Sequence, residues 1–252
     1  MDGKDLRLAV LIDADNAPRS ALREIMAEAA VYGTPTIKRI YGDWTMPNLG
    51  SWKSLLLEHA IVPIQQYAYT TGKNSTDSAM IIDAMDILYS GRCDGFVLVS
   101  SDSDFTRLAV RLREAGMKVY GMGERKTPQP FIAACDKFIY IEVIRAAAAN
   151  GKRQNSAEKA ALPAFEQSVP YDVVEMIAES LETVADEDGY AFLGTLGNLL
   201  TKKYPDFDPR NYGFSKLSQL MESMPERFEV DSRETGHPNA RHIYVRDRKS
   251  CK

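Results

Sequence analysis

Between residues 6 and 145 the apolar positions keep changing period, from consecutive β-branched and aliphatic runs to the three-and-four spacing of amphipathic helices. The runs LRLAVLID (6–13), TIKRIYG (36–42), IVPIQQYAY (61–69), GFVLVSSD (95–102), KVYGMG (118–123) and FIYIEVI (138–144) predict strands. Helical patterns fall near 18–32, 51–60, 75–90, 104–115 and 129–135. Such alternation predicts an α/β unit, a parallel sheet flanked by helices. In sheets of this kind ligands sit beyond the carboxyl ends of the strands, at a topological switch point. Residues 146–168, AAAANGKRQNSAEKAALPAFEQS, have no strong apolar stripe and read as a linker with some helical content. From 169 to 252 the pattern shifts to three helical stretches (YDVVEMIAESLETVA, FLGTLGNLLTKKYP and GFSKLSQLMESMP) followed by strand-like FEVDS and HIYVR. Three helices and a terminal hairpin predict a small winged helix-turn-helix domain.

Composition adds bounds rather than detail. With 252 residues, 44% of them hydrophobic, the chain can bury a substantial core. Its net charge of −4 gives no global attraction for nucleic acid, so polyanion binding has to come from local patches. The segment 169–252 alone holds 11 basic and 15 acidic residues. Cys93, Cys135 and Cys251 show no CxxC spacing and are odd in number, which argues against a disulfide framework and for a reducing compartment. MDGKDLR at the N-terminus is polar, and no apolar run approaches the roughly 18 residues of a membrane helix. A cytoplasmic location is the expectation.

Chemistry concentrates in three acidic segments at strand ends or helix starts: IDADN (12–16), NSTDS (74–78) and VSSDSDF (99–105). Carboxylates brought close together cannot all stay ionised without a counter-charge, and an oxygen-only set favours Mg²⁺ or Mn²⁺ over zinc. Asp13 directly follows LAVLI, where a charge has no structural need, and reads as a metal ligand. Asp15 and Asn16 also suit a helix N-cap ahead of Pro18. Asp77 equally suits the first turn of a helix capped by Ser75 or Thr76. Asp102 and Asp104 around Ser103, preceded by Ser100 and Ser101, exceed what capping needs, so Asp102 reads as a ligand, Asp104 as a ligand or its neighbour, and Ser101 as a supporting group.

The order IDADN, STD at a helix start, and VSSDSDF before an amphipathic helix resembles the NYN domain of the PIN-like nuclease superfamily, over roughly residues 6–145. The resemblance implies a Rossmann-like PIN-type fold and Mg²⁺- or Mn²⁺-dependent ribonuclease activity. It also implies an acidic set of Asp13, Asp77, Asp102 and Asp104, with Asn16 beside it. Asp15 occupies a place where many relatives have glycine. The stretch from Tyr171 through GYAFLGTLGNLLTKKYPDFDPRNYGFSKLSQLMES to RHIYVR resembles the LOTUS, or OST-HTH, winged helix, a family associated with RNA binding. The domain reading is therefore 1–145 NYN, 146–168 linker and 169–252 LOTUS.

On this reading the partner is RNA, with a protein partner through the LOTUS-like unit as a second expectation. Lys38, Arg39, Lys53, Lys73, Arg107 and Arg125 are candidates to track the backbone in the first unit, and Lys202, Lys203, Arg210, Lys216 and Arg241 in the second. Tyr41, Trp44, Trp52, Tyr67 and Tyr69 are candidates to stack bases, a mode suited to single strands. Tyr41 and Tyr67 also fit a core role, and Trp44, in the turn GDWTMPNLGSW, is the preferred stacking residue. Two other functions compete: a catalytically weak RNA- or protein-binding regulator with the same folds, and an aspartate-nucleophile phosphatase in which Asp13 would form an acyl phosphate and Asp15 act as acid/base. DADNA lacks the Gly-Thr that follows the phosphatase motif. His59, His237 and His242 lie away from the aspartates, which disfavours a histidine-based ribonuclease.

Overall fold

Strand β1 (Arg7–Asp13) is buried from Leu8 onward, and each side chain from Leu8 to Ile12 is fully enclosed. Burial on both faces is the mark of a central strand in a parallel sheet, and it explains the unbroken apolar run in place of an alternating one. The computed structural model describes residues 5–67, 75–154, 169–234 and 241–249, and the chain divides into two compact units, Met1–Asn155 and Ser156–Lys252.

In the first unit, β1 is followed by α1 (Leu22–Tyr32), β2 (Thr34–Gly42), α2 (Lys53–His59), β3 (Val62–Gln65), α3 (Ser75–Tyr89), β4 (Gly95–Val99), α4 (Thr106–Glu114), β5 (Lys118–Gly123), α5 (Gln129–Ala134), β6 (Lys137–Tyr140) and α6 (Ile141–Gln154). All six strands are parallel, in the order β3-β2-β1-β4-β5-β6. The order reverses between β1 and β4, so the switch point lies there. Strand parity sorts the core into two layers. Leu8, Val10, Ile12, Val97 and Val99 pack with α1 and α6 residues such as Ile25 and Ile144. Ala9, Leu11, Phe96 and Leu98 pack with Met80 and Ala84 of α3, Leu108 of α4 and Phe131 of α5. The edge strand β3 is four residues long and includes Pro63, which has no N–H to offer a further strand.

Helix α3 is fastened to the sheet by a polar contact within this second layer. Arg39 and Tyr41 on β2 both reach Asp83, the first as an ion pair and the second through its hydroxyl. Burial first, and then the bond to Asp83, push the Tyr41 hydroxyl far above its ordinary pKa, so it remains a donor.

Several boundaries differ from the sequence reading. The run FIYIEVI is not one strand: it breaks after Tyr140 and continues as α6, which also takes the first part of the expected linker. Ile141, Val143 and Ile144 are buried by α6 packing near α1, and a short apolar run does not by itself distinguish a buried strand from a buried helix. The expected helix at 18 opens with a 3-10 turn, Arg19–Ala21, capped by neither Asp15 nor Asn16. Trp52 is 3% exposed in the core, so it is not a stacking surface, whereas Tyr67, given a core reading, is 56% exposed. Lys73, Asn74, Tyr69, His237 and Cys251 lie outside the described residues.

The second unit contains α7 (Tyr171–Val184), β7 (Tyr190–Phe192), α8 (Leu193–Lys203), α9 (Leu217–Glu222), β8 (Phe228–Glu234) and β9 (Arg241–Asp247). Its antiparallel sheet has the order β7-β9-β8. Ile177, Leu181, Leu196, Leu200, Phe228 and Val245 form a core of its own. This is the winged arrangement that the three helical patterns and the terminal hairpin predict.

Candidate active site

The alternation that sorts the core also aims the acids. Asp13 follows Ala9 and Leu11 in parity, so it points to the face covered by α3, whose first turn carries Asp77. Ser100 follows Phe96 and Leu98 in the same way and lies one step beyond the last register pair, Ile12 with Val99. The Ser100 hydroxyl donates to Asp13 Oδ2 at 2.8 Å and accepts from the Asp102 N–H at 3.0 Å, which ties the ends of β1 and β4 together. Gly123 at the end of β5 leaves room for the Ser100 backbone: a Cβ there would sit 2.6 Å from the Ser100 carbonyl oxygen. Asp102 then caps the 3-10 turn Ser103–Phe105 by accepting from the Asp104 N–H at 2.9 Å. One capping bond thus fixes the relation of two acids, with Asp102 rather than Asp104 as the cap.

One carboxylate oxygen from each of Asp77, Asp102 and Asp104 lies within 4.8 Å of the others, at the switch point. Asp13 sits behind them, 1% exposed. Its Oδ2 accepts from Asn16 Nδ2 at 2.8 Å as well as from Ser100, and its Oδ1 accepts from the Asp15 N–H at 3.0 Å. A carboxylate has about four acceptor positions, so one on Oδ1 remains for a ligand. Burial raises the Asp13 pKa, and the bonds from Asn16, Ser100 and Asp15 hold it back down. Asp77 is raised from 3.8 to about 6, by burial first and then by the charges of Asp13, Asp102, Asp104 and Asp15. The donor set is all oxygen and electrostatically crowded, which suits a hard divalent cation such as Mg²⁺ or Mn²⁺ held by Asp77, Asp102 and Asp104, with Asp13 in reserve.

Of the supporting residues expected from the sequence, Asn16 and the backbone of Asp15 do contact Asp13, while the Asp15 side chain is exposed. Ser101 does not reach the acids: its hydroxyl accepts from the Glu124 N–H at 2.9 Å because its parity turns it to the opposite face of β4. Ser100 is the serine that the sequence reading missed as a site residue, although the parity of Phe96 and Leu98 marks it. Asp13 is 1% exposed and accepts three hydrogen bonds, which leaves it little room for in-line attack on a phosphoryl group and tells against the phosphatase alternative.

The candidate RNA-contacting cations separate into two kinds. Lys53, Arg107, Arg125, Lys202, Lys203, Lys216 and Arg241 are exposed. Lys38 instead donates to the His59 carbonyl, Arg39 is bound to Asp83, and Arg210 forms a bidentate pair with Asp208, so these three serve the fold. Trp44 is half-buried, its indole N–H donating to the Ile64 carbonyl at 2.9 Å, which leaves only part of its ring for a base.

The strand order is shared with dinucleotide-binding folds, but the turn after β1 reads DADNAP, with carboxylate where those folds place glycine-rich backbone for a pyrophosphate. A six-stranded parallel sheet with acids gathered at its switch point defines instead the PIN-like class of α/β folds. Within that class the chain belongs to the NYN domain family, which matches residues 7–142, and residues 168–240 match the OST-HTH/LOTUS domain. The NYN domain belongs to a nuclease superfamily. Among solved structures, a protein of unknown function from Vibrio parahaemolyticus is 20% identical with a TM-score of 0.48, over 56% of this chain and 96% of that one. The solution structure of an uncharacterised protein from Nitrosomonas europaea is 30% identical with a TM-score of 0.28, over 37% of this chain and 90% of that one. A segment of a protein from Chromobacterium violaceum is 30% identical with a TM-score of 0.25, over 32% and 84%. No curated protein matches the chain.

Proposed function

We propose that this protein is a divalent-metal-dependent ribonuclease that hydrolyses RNA phosphodiester bonds. Residues 1–145 would form the nuclease domain, 146–168 the connection and 169–252 an RNA-binding module. The observation that carries this reading is the convergence of Asp77, Asp102 and Asp104 within 4.8 Å, with Asp13 buried behind them. Mg²⁺ or Mn²⁺ bound there would supply positive charge for activating water and for stabilising the leaving oxygen. Ser100 and the capping bond from Asp104 to Asp102 hold the carboxylates in place before RNA arrives, so little rearrangement accompanies binding. Arg107, one turn beyond Asp104 and exposed, would meet a phosphate near the acids, with Lys53 and Arg125 as further exposed cations. The buried free thiols of Cys93 and Cys135 fit a cytoplasmic setting, and no described helix is long and apolar enough to cross a membrane.

The test is cleavage of labelled single-stranded RNA, with duplex RNA and DNA alongside, in Mg²⁺ or Mn²⁺ against EDTA. Metal-dependent cutting that Asp102→Asn abolishes is the expected result. Undiminished cutting by Asp102→Asn and Asp77→Asn would remove the site assignment. Preserved RNA binding without any cutting would make the chain a binding regulator.

A further inference from the structure

Residues 169–252 have a net charge of −4, yet β9 and the two residues after it are basic: residues 241–249 hold Arg241, Arg246, Arg248 and Lys249 against Asp247 alone. The register of β7-β9-β8 puts Tyr190 opposite Arg246 and Phe192 opposite Tyr244, and on the other side Glu229 opposite Arg246 and Arg233 opposite His242. These residues share one face of the sheet. The other face carries Ala191, Val245 and Phe228 into the core beneath the helices. The outer face is therefore a layer of rings with guanidinium groups laid over them. Arg233 lies 4.3 Å from the Tyr244 ring centre and 4.9 Å from that of Tyr190, and Arg246 lies 4.7 Å from Tyr190. Asp231 and Glu229 hold these two arginines in place through ion pairs of 2.8 and 2.7 Å. Phe192 packs 5.1 Å from His242 and 5.9 Å from Tyr244, and is still 39% exposed.

We propose that this outer face, rather than the lysines of α8 and α9's start, is where the second unit docks single-stranded RNA. Unpaired bases would stack on Phe192 and His242 while the phosphates meet Arg246 and Arg248 at the end of β9. The proposal rests on the reading of this chain as an RNA-acting protein and adds where and how the second unit holds its substrate. Stacking on exposed rings suits single strands, because bases in a duplex already stack on one another. The positive excess of residues 241–249 is complementary to a polyanion in a unit whose net charge otherwise repels one. A ring already fixed by neighbours also loses little freedom when a base covers it.

The experiment uses the full chain in EDTA and a single-stranded RNA containing 2-aminopurine, whose fluorescence falls when it stacks. Wild type should bind with quenching. Phe192→Leu combined with His242→Ala should weaken binding about tenfold, within the range of one lost base stack, and should abolish the quenching. The ratio of the two affinities should be the same at low and high salt, because rings and not charges have been removed. Lys202→Ala with Lys203→Ala should change affinity less than the ring variants. Equal RNA affinity in wild type and the ring variants would overturn the proposal and turn the search towards a protein partner for this face. Absence of RNA binding by wild type would instead overturn the ribonuclease reading itself.

Discussion

Asp77 is the residue at which the chemistry of the site is easiest to read from outside. Its pKa is raised to about 6 in the folded protein against an ordinary 3.8, so between these values the folded state holds a proton that the unfolded state has released. Stability of the metal-free protein should therefore fall as pH rises from about 4 to about 6 and stay lower above that window. Thermal melts in EDTA should show Asp77→Asn stabilised at pH 8 and nearly unchanged at pH 4. Mg²⁺ should raise the melting temperature of wild type at pH 8 and do so much less for the variant. Ser100→Ala tests the other side of the site. It removes one of the three donors to Asp13 and leaves the Asp102 N–H without its Ser100 acceptor, and should cost about 1–3 kcal/mol and lower cleavage about 10- to 100-fold, read by melts and by turnover at increasing Mg²⁺. Ser101→Ala should leave the Mg²⁺ dependence unchanged, since its bond goes to Glu124. The acids themselves were legible in the sequence because charge at a strand end needs a reason. The choice between Ser100 and Ser101 needed the fold as well: the parity of Phe96 and Leu98 groups Ser100 with them, but only the packing of that layer against α3 shows that this is the face of the acids.

At the level of elements, α3 determines where Asp77 stands. Its seat on β1 and β2 is fastened by the contact of Asp83 with Arg39 and Tyr41, which are 34% exposed and fully buried respectively. Asp83→Ala strands a buried Tyr hydroxyl and loosens Arg39, and should cost about 1–2 kcal/mol after allowing for the exposed arginine. Chemical denaturation would measure this, and a loss below about 0.3 kcal/mol would show that α3 is held by its apolar face alone. Alternating strands and helices gave the α/β class and every strand of the sheet at least in part. The stretch from 138 to 154 was misjudged because FIYIEVI suits a strand and a helix equally, and the deciding contact, that of α6 with α1, joins parts of the chain more than a hundred residues apart. Trp52 and Tyr67 failed for a related reason: a ring's type says how much area it can bury, and only packing says whether it does.

For the molecule as a whole, the described residues form two separate cores, so the chain should not unfold as one cooperative unit. Calorimetry should resolve two transitions, of which Mg²⁺ raises only the one belonging to the NYN unit. Removing residues 169–252 should weaken RNA affinity and leave metal-dependent turnover of short oligomers. Loss of that turnover would mean that the second unit completes the site. The short outer strand β3 bears on behaviour in concentrated solution. Open sheet edges template intermolecular pairing, and here Pro63 withholds a donor from any incoming strand. Pro63→Val would restore that donor beside Val62, which is 55% exposed, and should make the chain assemble through this edge faster than wild type on prolonged incubation, as light scattering would show.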